Sequence, residues 1–466
     1  MHCLPDFFLY RPIRAWFVLC AILFSCKTTT PSQHQDKVAY SVDELERRTF
    51  HFFWDLADKS NFQIPDRYPT LTFSSIAATG FGLSAYIVGA ERHYVTRAEA
   101  AERTLKTLNA LWHMPVGPGK EGISGYHGFY YHFLTLDKTV RYKDVELSSI
   151  DTGLLMAGIL SSMSYFDGDN VTEKSIHALS DSLYRRVEWD WMLNDSVRLW
   201  MGWHPESGFI PSEWRGYNEA MVLLIMAIGS PTHPIPAAAW DKWCSTYTWD
   251  TFEGQTCIQF DPLLGHQYSH VWIDFKGIQD AYMKSKGIDY FENSRRATLA
   301  NRSYCIQNPM HNAGYGEWCW GLTACDGPNS KTMIVNGKQH EFFDYRARGA
   351  CSYQIVDDGT IAPTGVGGSY PFNPYECETT LKNMWDTYYQ NLVGEYGFKD
   401  AFNLTYVTSE TPQGWFDIDY LGLDQGPIIL MIENQRTGLL WNVMKKNPYI
   451  VEGLKKAGFQ GGWLDE

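Results

Sequence analysis

The chain has 466 residues, of which 44% are hydrophobic, and a formal net charge of −14. That is enough apolar material for a large core, and the acidic balance excludes nucleic acid and anionic membrane surfaces as electrostatic partners. Aromatic residues reach 15%, with 18 Trp; a Trp-rich core and a surface that stacks on flat apolar faces both fit.

In chain order, Arg11 and Arg14 come first and precede the apolar run "AWFVLCAILFS" from Ala15 to Ser25. This run is too short to cross a bilayer, which takes about 20 residues, and it fits a secretory signal over residues 1–25. Leu23-Phe24-Ser25-Cys26 resembles a bacterial lipobox, in which Cys26 becomes the lipidated first residue. The polar stretch that follows makes 26–40 a flexible tether. An ordinary cleaved signal with an incidental cysteine is the alternative. Either way the chain is exported; the lipobox implies an outer-membrane lipoprotein, periplasmic or surface-facing, that meets the membrane through its lipid anchor alone.

From residue 41 on, helical signals dominate. Ser74–His93 is small and apolar nearly all round, as a helix surrounded by others would be. Thr96–His113 is amphipathic, with Thr96 and Glu99 spaced as a capping box. The contrast recurs. Ile150–Met163, Tyr217–Ile228 and Gln425–Asn434 read as buried helices, whereas Val171–Met192, Asp289–Gln307 and Thr379–Leu392 read as amphipathic ones. Strand signals are few, and "TMIVNGKQHEFF" predicts a hairpin around Asn336-Gly337. No Pro/Ser linker interrupts 41–466, which predicts one all-α domain of roughly a dozen helices in two concentric layers.

Seven cysteines follow Cys26: Cys244, Cys257, Cys305, Cys319, Cys325, Cys351 and Cys377. They show no CxxC spacing, so zinc is not expected. A Cys319–Cys325 bridge is open, but isolated buried thiols are the simpler reading. Gly80-Phe81-Gly82 and Gly365–Gly368 follow no strand of a βαβ unit, and GxSxG and HExxH motifs are absent. Neither a metal nor an organic cofactor is expected.

Three stretches carry acids at the mouths of the predicted buried helices. In "DVELSSIDTGLL", Asp144 and Glu146 precede the helix and Asp151 falls in its first turn, where a carboxylate favours the helix dipole. Glu146 would stay ionised, which suits a base or a sugar acceptor. In "HPESGFIPSEWRGYNEAMVLLIMAIG", Glu219 is either a first-turn dipole partner or a catalytic group beside an apolar run. In "GWFDIDYLGLDQGPIILMIENQRTG", Asp424 reads as an N-cap with Pro427 in the first turn. His127 and His132, in "GYHGFYYHF", read as loop contacts. In a two-layer helical fold the inner N-termini converge, so these clusters would line one pocket. Two acids facing each other across a neutral polyol are the equipment of glycoside hydrolysis.

"SIAATGFGLSAYIVGAER", "GFYYHFLTLD", "ELSSIDTGLL", "WRGYNEAM", "SHVWIDFKGIQD" and "GLDQGPIILMIENQRTGLLW" together resemble the bacterial glucoamylase-like family and, within it, glycoside hydrolase family 144, the β-1,2-glucanases. The resemblance runs in order over roughly residues 41–460. It implies an (α/α)6 barrel, an inverting mechanism, and β-1,2-glucan or its oligosaccharides as substrate. It marks Glu146 and Glu219 as the catalytic carboxylates, with Asp144, Asp151 and Asp424 in reserve. Tyr126, His127, Trp214, Tyr217, Trp272, Trp318 and Trp415 are the expected sugar contacts, and the expected state is a monomer. A glycan-binding lipoprotein without catalysis and an exo-acting enzyme releasing sophorose are the alternatives.

Overall fold

The computed structural model describes residues 36–465. Residues Lys37–Glu466 cluster into one compact unit. The expected signal, and Cys26 with it, lie outside the described residues.

The helices are α1 (Val42–Leu56), α2 (Ile76–Glu91), α3 (Arg97–His113), α4 (Ser149–Tyr165), α5 (Val171–Arg185), α6 (Met221–Gly229), α7 (Ala238–Cys244), α8 (Tyr268–Trp272), α9 (Ala281–Lys286), α10 (Tyr290–Gln307), α11 (Pro363–Gly367), α12 (Pro374–Leu392), α13 (Gly422–Thr437), α14 (Leu439–Met444) and α15 (Pro448–Lys456). Burial sorts them as the residue pattern predicts. Helices α2, α4, α6, α8, α11 and most of α13 are buried on every face, whereas α1, α3, α5, α10, α12 and α15 bury one side. Contacts among the buried helices run from α2 to α4, α6, α8 and α13 and back to α2, with α11 against α13. The half-exposed helices lie outside them: α1 on α2 and α13, α5 on α4, α12 on α11, and α15 on α6.

Helices α2 and α4 approach each other very closely. A Cβ built on Gly158 would fall 2.1 Å from the Gly80 carbonyl oxygen, and one on Gly80 would fall 2.4 Å from that of Leu154. Two helices can lie this close only where side chains are missing on both. This is why the sequence of α2 is so rich in Gly and Ala. The caps follow the expected chemistry. Ser75 and Ser148 accept from the N–H groups of Ala78 and Asp151, each at 3.2 Å, and Thr96 and Glu99 form the predicted capping box.

Three predicted boundaries move. The segment Val171–Met192 is helical only to Arg185 and resumes as a short 3-10 turn at Trp191–Leu193. The helix expected from Tyr217 begins at Met221, which leaves Glu219 before its first turn rather than in it. Asp424 is not a cap: α13 starts at Gly422 with Leu421 before it, and Asp424 lies inside the first turn.

Strands are more numerous than expected but very short. The largest sheet joins Gly125–Tyr126, Phe129–Tyr131, Leu147–Ser148, Gly202–His204 and Gly208–Phe209 in that order. The predicted hairpin pairs Lys331–Val335 with Lys338–Phe342, and its turn places Asn336 and Gly337 at φ 51° and 78°, the left-handed pair that a two-residue hairpin turn needs. All seven cysteines of the described residues are buried and free, Cys319 and Cys325 included. No helix among the described residues is long and apolar enough to cross a membrane.

Candidate active site

The mouth of α4 is built by the sheet beneath it. Leu147 pairs with Tyr131 on one side and Trp203 on the other, and the His132 N–H donates to the Glu146 carbonyl at 3.0 Å. This register sets the two side chains together: His132 Nδ1 lies 2.9 Å from Glu146 Oε1, and its Nε2 lies 3.4 Å from Asp151 Oδ1. Burial opposes charge on His132, but Asp151, Glu146 and Asp66 together raise its pKa to about 9. The imidazolium in turn governs Glu146. Burial pushes that carboxyl up, but the hydrogen bond and charge of His132 outweigh burial and hold it below its ordinary value. Asp151 is pushed up by burial despite His132 and the Ser148 hydroxyl.

Glu219 stands at the mouth of α6 without such a partner. Ser269 Oγ holds its backbone carbonyl at 3.0 Å, while its Oε2 is buried with no hydrogen-bond partner. Burial, reinforced by the charge of Asp151, raises this carboxyl to about 7. The two glutamates therefore differ in kind: one is held ionised by a cation, the other held neutral by desolvation.

A third group of acids surrounds the mouth of α13. Arg67 reaches Asp66 (3.0 Å) and Asp326 (2.5 Å), and the Asp326 N–H donates to Asp400 Oδ2 at 2.7 Å. Asp417 is tied to the same strands by its N–H on the Ala401 carbonyl, 2.9 Å away. Asp400 Oδ1, Asp417 Oδ2 and Asp424 Oδ2 are buried without partners. Burial raises Asp424 to about 7, with help from the charges of Asp326 and Asp66 and against the pull of neighbouring Asp400 and Arg67. Asp417 rises to about 8 through burial and the charge of Asp400. The clusters border one another. Tyr268, whose hydroxyl donates to the Leu423 carbonyl at 3.2 Å, feels the charges of both Asp424 and Glu219, and Asp66 feels that of His132.

Two sets of side chains are compact enough to share an ion: His132, Glu146 and Asp151, and Asp326, Asp400 and Asp417. In the first, the protonated His132 already supplies the positive charge and offers no lone pair. In the second, Arg67 occupies Asp326, and Asp417, raised to about 8 by burial and by the charge of Asp400, holds a proton near pH 7.

The expected sugar contacts separate into groups. Tyr126 and His127 are half-buried on an aromatic ledge with Trp191 and Trp203; His127 stacks on Trp191 at 4.3 Å and meets Glu188 at 2.7 Å. Trp415 is half-buried beside Cys325 and Ala401, the neighbours of Asp326 and Asp400. Trp214, Tyr217 and Trp272 are core residues whose polar atoms are turned inward, onto Ser149, Ser294 and Ser84; they present no face to a ligand. Trp318 packs between Arg302 of α10 and Tyr375 of α12, in the outer layer. Asp144 is exposed. Sequence reasoning set His132 aside and passed over Asp66, Asp326, Asp400 and Trp203. The one signal available for His132 was its distance of fourteen residues from Glu146, which is meaningful only once the strands are paired.

A family model described as "Putative glucoamylase" matches residues 211–448, just over half of the chain. An exo β-1,2-glucooligosaccharide sophorohydrolase (non-reducing end) from Parabacteroides distasonis is 29% identical over 95% of this chain, which spans 62% of that relative's length. Among solved structures, a "putative glucoamylase" from Bacteroides uniformis superposes with a TM-score of 0.79 at 32% identity, covering 92% of this chain and 100% of its own. An endo-β-1,2-glucanase from Chitinophaga pinensis, in complex with sophorotriose and glucose, gives 0.77 at 30% identity, covering 91% and 100%. With acids gathered at the mouths of its buried helices and this likeness along nearly its whole folded length, the chain belongs to the glucoamylase-like family.

Proposed function

We propose that this chain is a glycoside hydrolase that cleaves β-1,2-glucosidic bonds of β-1,2-glucan or its oligosaccharides with inversion, inside an (α/α)6 barrel. The observation that carries the reading is the opposite protonation of the two glutamates. Glu219, neutral up to about pH 7, is the general acid; Glu146, held ionised by His132, is the general base. In the reaction, the Glu219 carboxyl gives its proton to the glycosidic oxygen as the C1–O bond breaks. The Glu146 carboxylate takes a proton from the water that attacks C1 on the opposite face, so one bond forms, one breaks and the anomeric centre inverts. Tuning by burial on one side and by a cation on the other is the way a fold keeps two carboxyls in different states at one pH. Asp424, also neutral near pH 7, is suited to donating a hydrogen bond to a sugar oxygen. The substrate class is supported by the β-1,2-glucan relatives above, one exo-acting and one endo-acting. The test is release of reducing ends from linear β-1,2-glucan, with the anomer of the first product read by NMR. Glu146→Gln and Glu219→Gln are each expected to lower turnover by about 10²–10⁴-fold. Unchanged turnover in either variant removes that residue from the pair.

We also propose that the mature chain begins at a lipidated Cys26 and is held at the outer membrane by that anchor. The lipobox-like Leu23–Cys26 supports this. Cys26→Ala is expected to release the protein from the membrane fraction, and an unchanged membrane-bound fraction would overturn the assignment.

A further inference from the structure

The segment between the hairpin and α11 is fastened in an unusual way. Arg348 is wholly buried and forms an ion pair with the equally buried Asp358 at 2.7 Å. Its remaining donors bind backbone carbonyls: Phe343 at 3.1 Å, Asp344 at 3.0 Å, Arg346 at 3.3 Å and Cys325 at 2.8 Å. A buried guanidinium whose donors are spent on carbonyls fixes the path of the chain it touches. The fit is tight. A Cβ on Gly327 would fall 2.2 Å from both Arg348 Nη2 and the Phe343 carbonyl oxygen.

Tyr345 is carried on this clamped segment. Cys325 pairs with Arg346 and Ala324 with Ala347, so Tyr345 and Asp326 are the residues that flank the end of this two-stranded ladder. Asp326 is the acid that binds Arg67 through its carboxylate and Asp400 through its N–H. Yet Tyr345 is 56% exposed. A large aromatic side chain beside a buried acid cluster, itself left open while the backbone under it is anchored at three carbonyls, is costly to leave uncovered. Its phenol also feels the charges of Asp424, Asp400 and Asp66.

We infer that Tyr345 is a specificity-determining residue of the glucan site: an aromatic face, carried on backbone fixed by the Arg348–Asp358 clamp, on which one pyranose ring of the substrate rests beside Asp326, Asp400 and Asp424. This rests on the hydrolase reading above and names a subsite within it. The C–H face of a pyranose is apolar, and an aromatic side chain on an anchored backbone binds it without the cost of ordering the loop. Because the ring touches the sugar before and during bond cleavage alike, its removal weakens ground and transition states together.

The experiment measures kcat and KM on β-1,2-glucooligosaccharides for the wild type, Tyr345→Ala and Tyr345→Phe. Binding of the same oligosaccharides to the Glu219→Gln background, with and without Tyr345→Ala, is measured by calorimetry. Tyr345→Ala is expected to raise KM and the dissociation constant about tenfold, with kcat nearly unchanged; Tyr345→Phe, which keeps the ring, is expected to match the wild type. Unchanged KM and binding in Tyr345→Ala would overturn the inference. So would a Phe variant that behaves like the Ala variant, since the hydroxyl rather than the face would then be at work. A rise in KM that tracks a loss of thermal stability would assign the residue to folding instead. A wild-type protein that turns over none of these sugars would sink the hydrolase reading, whereas an active enzyme indifferent to Tyr345→Ala would sink only the subsite.

Discussion

A carboxyl raised to about 7 with one oxygen unpartnered couples stability to pH. The unfolded Glu219 titrates near 4.5, its ordinary value. Between that pH and about 7 the folded chain keeps a proton that the unfolded chain releases, so stability declines across this window as pH rises and levels off above it. Glu219→Gln removes the decline. Its Tm is expected to exceed that of the wild type at pH 8 and to match it near pH 4, measured by scanning calorimetry, although the same change removes turnover. Activity should follow the same group: kcat/KM is expected to fall as pH rises through about 7, when the general acid is lost. The acidic limb belongs to Glu146. His132→Asn removes the cation that holds Glu146 low, so this limb should move to higher pH while the alkaline limb stays, as a pH–rate profile will show. That His132 matters here was not legible in its neighbours. "GFYYHF" reads as loop, and only the pairing of Tyr131 with Leu147 turns a fourteen-residue separation into a 2.9 Å contact.

At the level of elements, the buried helices were the most legible part of the chain. A run such as "SSIAATGFGLSAYIVGAER" has no polar face to give to water, and it became α2, enclosed on all sides. Helices α8 and α11, five residues each, left no such mark, because one turn and a half cannot display a period. The acids around α13 were half legible. Asp417, Asp419 and Asp424 share one stretch, but Asp66, Asp326 and Asp400 arrive from three distant loops that only the folded chain brings together. The glycines of α2 and α4 make a sharper point. Gly158→Ala places a methyl group against the Gly80 carbonyl, with backbone on both sides and no flexible side chain to yield. Overpacking of this kind costs about 1–3 kcal/mol, to be read from urea unfolding. Turnover per folded molecule should be preserved, since the contact lies within the helices and the acids lie at their mouths.

Over the whole molecule, the outer helices are what allow an apolar inner layer to exist. Helix α6, "MVLLIMAIG", is buried over its full length, and α15 covers it from outside. Removing residues from Asn447 onward uncovers that face and should leave a chain that aggregates or binds a hydrophobic dye, rather than one that merely melts a few degrees lower; soluble yield and dye fluorescence decide it.

The cysteines give the whole molecule a clock. All seven among the described residues are enclosed, and burial raises their thiols above the ordinary range, Cys257 and Cys319 up to about 12. Thiolate is the reactive species, so these seven positions should be silent in the native fold to a thiol reagent that labels them at once in the unfolded chain. With no disulfide among these cysteines to hold fragments together, each labelling event reports an opening large enough to admit the reagent, and the rate at seven positions maps which part of the fold lets go first. Cys244, Cys257 and Cys305 sit on or beside the helices α7 and α10, and Cys377 lies on α12. Their order of labelling in mild denaturant would therefore rank the outer helices by the ease with which each one leaves the inner layer.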